Sequence, residues 1–137
     1  MKQIVWFGRI SIFVIYFWFG ALKVLGTSPA ESLVHELFDI TLSHLVTFPT
    51  FLLLFGIIEC LIGIAWLIPR LTFVAFYAVI IHLVFTFVPM VSLPDITWKK
   101  ILTPTIIGQY IFKNLLLLTC VLLITRLYRT ELENESN

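Results

Sequence analysis

The stretch TFLLLFGIIECLIGIAWLI, residues 50–68, runs directly into Pro69-Arg70 and holds one charged side chain, Glu59. A helix needs about 20 predominantly apolar residues to cross a hydrocarbon layer of about 30 Å, so this stretch reads as a transmembrane span. Three further stretches read the same way, residues 4–26, 71–91 and 104–127. Pro69-Arg70 leaves almost no loop, which predicts a tight antiparallel hairpin between the second and third spans. Pro49 and Pro104 stand where helices begin, a position at which the missing N–H costs nothing.

Composition agrees with four spans. Hydrophobic residues make up 60% of the chain and charged residues 12%, with a mean hydropathy of +1.04. Soluble domains run at about 45–50% apolar and about 25% charged. The fold expected is an all-α membrane protein: one antiparallel four-helix transmembrane bundle over residues 1–129, with no separate soluble domain in its 137 residues. The first span is too long for a signal-peptide core of about 7–15 residues, and Arg9 interrupts it. A net charge of +1 and the lack of any basic run exclude nucleic acid as a partner. Cys60 and Cys120 form no C-x-x-C or ligand spacing, and their nominal depths differ by about 9 Å. That exceeds the roughly 7 Å Cα limit of a disulfide, so both read as small buried residues.

Between the first two spans, Ser28-Pro29-Ala30-Glu31 has the form of a capping box and predicts a short helix with Ser28 as its N-cap. Leu33, Val34, Leu37, Phe38 and Leu45 recur opposite Glu31, His35 and Asp39, which makes the helix amphipathic. The three polar residues are expected as a solvated face rather than a metal site. In the connection after the third span, Trp98-Lys99-Lys100 is expected as an anchor at headgroup level. Lys2, Arg9, Arg70, Arg126 and Arg129 on one side outnumber Lys23, Lys99 and Lys100 on the other, which predicts both termini in the cytoplasm. The polar, acidic residues 130–137 are expected as a disordered tail.

At 100° per residue, Arg9, Tyr16, Gly20 and Lys23 share one face of the first span, and Gly56, Glu59, Gly63 and Trp66 one face of the second. Ala75, Ala78, His82, Phe85 and Pro89 align in the third, and Gln109, Lys113 and Cys120 in the fourth. Small residues beside ionisable ones mark faces on which membrane helices approach closely, so these faces are expected to point inward. Counting about 1.5 Å per residue puts Glu59, His82 and Lys113 near the bilayer centre, with Lys23 and Gln109 roughly 9–12 Å toward the outer side. The depth count predicts a Glu59–Lys113 pair with His82 beside it as a proton donor or acceptor. Arg9 and Lys23, near span ends, are expected to snorkel to the headgroups, Lys23 otherwise lining the outer path with Gln109.

Three motifs resemble a known family. Gly20-Ala21-Leu22-Lys23, then Gly56-x-x-Glu59-x-x-x-Gly63, then Gly108-Gln109-Tyr110-x-x-Lys113-Asn114 are similar, in their order and spacing, to the DoxX-like superfamily of small four-helix membrane proteins. The name-giving members of that family form the small membrane subunit of a thiosulfate:quinone oxidoreductase, and relatives are linked to oxidative stress. The resemblance implies an inner-membrane accessory subunit near the quinone pool, with a soluble or membrane redox partner and a homo-oligomeric state as further expectations. No haem-ligand histidine pair, cluster-type cysteine spacing or dinucleotide fingerprint occurs, so no residue is assigned a catalytic role and quinone is the one cofactor implied. The ligand-binding candidates are Lys23, Glu59, His82, Gln109 and Lys113. A proton-coupled transporter of small solutes and a non-catalytic membrane scaffold are the rival readings.

Overall fold

The computed structural model describes residues 2–135. Four of its helices are long and apolar enough to cross a membrane: Gln3–Val24, Phe48–Trp66, Pro69–Ser92 and Ile106–Asn134. Phe7, Trp18, Val74 and Leu116 on their outer surfaces are 65–75% exposed, an arrangement that hydrocarbon accommodates and water penalises. Contacts group the chain into two compact units, Met1–Leu71 and Thr72–Asn137.

The first unit holds α1 (Lys2–Val24), α2 (Glu31–Thr41) and α3 (Phe48–Trp66), closed by a 3₁₀ turn at Pro69–Leu71. Helix α1 ends in a Schellman motif: the N–H of Thr27 donates to Leu22 O at 2.9 Å and that of Gly26 to Lys23 O at 3.1 Å. Gly26 takes the left-handed conformation this motif needs, with φ 67°. Helix α2 starts at Glu31 with Ala30 at its N-cap, not with Ser28. The Ser28 hydroxyl instead accepts the N–H of Ala30 at 3.3 Å, closing a local turn, so it is spent before the helix begins. Phe38, buried on α2, lies 5.5 Å from the Phe48 ring and 5.2 Å from that of Phe51, which pins α2 against the start of α3.

Helices α1 and α3 meet backbone to backbone. A Cβ added to Gly20 would lie 2.7 Å from Gly56 O, one added to Gly56 2.7 Å from Gly20 O, and one added to Gly63 3.0 Å from Phe17 N. Without side chains at these points the two helices close to a distance that only glycine permits. The contacts pair Arg9 with Trp66, Phe17 with Gly63, Gly20 with Cys60 and Lys23 with Glu59, in reverse chain order, so α1 and α3 run in opposite directions.

The second unit comprises α4 (Thr72–Phe87), α5 (Pro89–Ser92), α6 (Pro94–Thr97), a ribbon of β1 (Trp98–Lys100) and β2 (Thr103–Pro104), and α7 (Ile106–Glu135). The third span, expected over residues 71–91, is the candidate membrane helix Pro69–Ser92; Pro89 has no N–H to donate into the preceding turn, which divides it at Val88 into α4 and α5 while Val88 keeps helical dihedrals. Phe73 in the first turn of α4 lies 5.9 Å from Tyr128 toward the end of α7. The connection expected to carry the Trp98-Lys99-Lys100 anchor forms an antiparallel ribbon, and Leu102 closes its turn with φ 59°. Helix α7 also continues to Glu135, through residues expected as a disordered tail. Neither glycine nor proline stands there to stop it, and Arg129 Nε donates to Glu133 Oε1 at 3.0 Å one turn on. Ser136 and Asn137, the last residues of that expected tail, lie outside the described residues.

Candidate functional site

The faces predicted for the first two spans are buried. On α1 these are Arg9, Tyr16, Gly20 and Lys23, and on α3 Gly56, Glu59, Gly63 and Trp66. Between them Lys23 Nζ donates to Glu59 Oε2 at 2.5 Å, and each side chain is only 6% exposed. Gly56 creates the room for this pair, since a Cβ there would stand 2.9 Å from the Lys23 Cβ at the root of the lysine stem. The ammonium also lies 5.3 Å from the centroid of the Phe55 ring, one turn before Glu59. The depth count offers Lys113 as the partner of Glu59; the carboxylate takes Lys23, which reaches it by its stem instead of snorkelling outward. Two charges this close in a dry site compensate each other and keep both ionised forms tolerable in hydrocarbon.

A cleft of about 390 Å³ opens beside Lys23. Lys23 lines it together with Gly26, Glu31, Phe48, Leu52 and Leu53, so α1, its C-terminal turn, α2 and α3 each contribute. The cleft was missed from sequence because its walls come from the start of α3 and from the turn after α1. The one sequence signal was the glycine three residues past Lys23, which turns the chain away and leaves the helix end open. An ammonium has three N–H donors, of which the bond to Glu59 uses one, and the cleft walls beside Lys23 are largely apolar and aromatic.

Arg9 does not snorkel either. It is 2% exposed, donates from Nη1 to the Trp66 carbonyl at 3.1 Å, and stands 5.9 Å over the Trp66 ring. That carbonyl belongs to the last turn of α3, where acceptors have no intrahelical partner, so Arg9 caps α3 from the neighbouring helix.

The remaining candidates belong to the second unit. Gln109 and Lys113 are exposed on α7, and Lys113 Nζ stands 4.9 Å from the Tyr110 ring centroid. His82 is half-buried on α4, and its carbonyl accepts the Thr86 hydroxyl at 2.9 Å. On α2, His35 Nδ1 lies 3.1 Å from Asp39 Oδ2 with both side chains about half exposed. Among the described residues no three His, Cys or carboxylate side chains are grouped to hold a metal ion. Both cysteines are free thiols. No protein-family model matches the chain, and neither the curated proteins nor the solved structures give a significant match.

Proposed function

We propose that this chain is a DoxX-like inner-membrane protein with both termini in the cytoplasm, its four spans forming one antiparallel bundle, and that it binds a small apolar molecule with a polar head in the cleft over Lys23 and Glu59. Its role is that of an accessory subunit in a membrane redox system, and a quinone is the ligand class that fits best. The single observation carrying this reading is the buried Lys23–Glu59 pair at 2.5 Å with Lys23 lining an open cleft. The volume of about 390 Å³ falls within the roughly 300–1,000 Å³ of small-molecule sites, and apolar walls with a few convergent polar groups are their usual lining.

The residues fit a quinone head in one respect that is chemically specific. A ring carbonyl needs a donor, which Lys23 supplies, while Phe48, Leu52 and Leu53 give the ring and its tail apolar contact. Bound there, a quinone would supply the electron-accepting chemistry; the chain's own part is to hold and orient it. Glu59 fixes the position of the lysine head group beside the cleft. The test is titration of a short-tailed quinone analogue into purified protein in nanodiscs. Saturable binding that Lys23→Met with Glu59→Met weakens at least tenfold supports the reading, and an absence of binding to the wild type removes it.

A further inference from the structure

In the second unit, the segment between α4 and α7 is a braced platform rather than a slack loop. The buried Thr97 hydroxyl donates to Leu93 O at 2.9 Å, the N–H of Thr105 donates to Thr97 O at 2.9 Å, and the Thr105 hydroxyl donates to Ile96 O at 2.7 Å. The Trp98 indole N–H donates to Met90 O at 2.9 Å, and its ring meets Phe112 edge-on at 5.9 Å. A Cβ on Gly108 would fall 2.2 Å from Thr97 O, so the first turn of α7 lies directly against the platform. Trp98, expected as a headgroup anchor, also ties β1 to α5 and α7. What the ribbon presents outward is Lys99 and Lys100, then Ile101 and Leu102, which are 93% and 86% exposed.

A rigid support under two bare aliphatic side chains and two cations calls for a partner that is apolar on one side and anionic on the other. The position of the ribbon selects it. Phe112 lies about 9 Å along α7 from Ile106, within the apolar run, so with α7 spanning the bilayer the root of β1 would lie within about 9 Å of the hydrocarbon edge. A strand of three residues spans only about 10 Å, little more than the headgroup layer of about 5–8 Å on each side of the core. The tip thus has the bilayer's own phosphates within reach. Asp95 is the one carboxylate of residues 88–105 against these two lysines, which leaves the segment cationic.

We propose that the ribbon tip, residues 99–102, is a binding element for anionic phospholipid of the membrane the chain spans, with Lys99 and Lys100 on headgroup phosphates and Ile101 and Leu102 at the acyl boundary. This rests on the second unit alone and is independent of the cleft. It is tested with protein carrying Cys60→Ala, Cys120→Ala and Thr103→Cys, spin-labelled at the new thiol and placed in nanodiscs of phosphatidylcholine with or without phosphatidylglycerol. The label should be more accessible to oxygen than to a water-soluble nickel chelate, and more so with phosphatidylglycerol present. By native mass spectrometry, Lys99→Gln with Lys100→Gln should lower phosphatidylglycerol retention at least threefold against an unchanged helical circular dichroism spectrum. Equal retention in that variant, a label facing water in both bilayers, or crosslinking of the label site between copies would each overturn the proposal.

Discussion

Lys23 on α1 and Glu59 on α3 join their side chains at 2.5 Å across a helix contact in which Gly20 and Gly56 bring the two backbones together. The ion pair and the glycine contact depend on each other. Close backbones shorten the reach of the lysine stem, and the pair holds the helices at the register in which the glycines face.

Removing one partner leaves a buried charge uncompensated. Lys23→Met or Glu59→Met alone is expected to cost about 3–5 kcal/mol, unless the surviving group neutralises, whereas the double substitution should cost far less. Unfolding in mixed detergent micelles over the full double-mutant cycle measures the coupling, and additive single effects would show that the pair contributes no interaction energy.

Gly20→Ala and Gly56→Ala each place a Cβ 2.7 Å from a backbone oxygen of the facing helix. The helices must separate, at about 1–3 kcal/mol each. Gly26→Ala meets no atom within 4 Å but is held at φ 67°, so its cost is of a different origin and about 1 kcal/mol. Thermal unfolding of the three variants, with crosslinking between α1 and α3 as a distance readout, separates these cases: only the first two should lose the crosslink.

Arg9→Leu frees the Trp66 carbonyl at the end of α3 and is expected to destabilise by about 1–3 kcal/mol. Arg9→Lys keeps the charge but loses the planar group lying over the indole, and should fall between the two. Equilibrium unfolding gives the order; a Leu variant as stable as wild type would remove the capping role.

The end of α7 is expected to be helical yet weakly held. Glu133→Gln breaks an exposed pair with Arg129 and should change stability by no more than about 0.5 kcal/mol, while amide exchange should show protection continuing past Arg129. Unprotected amides from Thr130 onward would restore the disordered tail that composition implies.

The first unit was largely legible in the sequence and the second was not, for a physical reason. On α1 and α3 glycines recur with the charges at helical spacing, and because the helices touch through those glycines, the same residues are buried. Helix α7 is apolar on every side through most of its span, so beside the half-buried Cys120 only Gln109 and Lys113 mark a face. They proved exposed, and Gly108, Ile111, Val121 and Ile124 are the residues buried instead. Of the face expected on the third span, Ala75 and Pro89 are buried, Ala78 and His82 half-buried and Phe85 60% exposed, while Thr72, Val79 and Leu83 complete the buried stripe. Within the first unit, Lys23 reaches Glu59 because its long flexible stem makes up the difference in depth between the two residues. The cleft and the ribbon arise from a left-handed Gly26 and Leu102 and from hydroxyl-to-carbonyl bonds, none of which leaves a periodic trace in the chain.

The most direct measurement is native mass spectrometry of the protein purified from its own membrane in mild detergent, followed by identification of any small molecule it carries. Wild type should retain a non-phospholipid compound with a polar head and an apolar body, and both Lys23→Met with Glu59→Met and the cleft-filling Leu53→Trp should release it. A wild type that carries no such compound, or one retained equally by both variants, would contradict a ligand site over the Lys23–Glu59 pair.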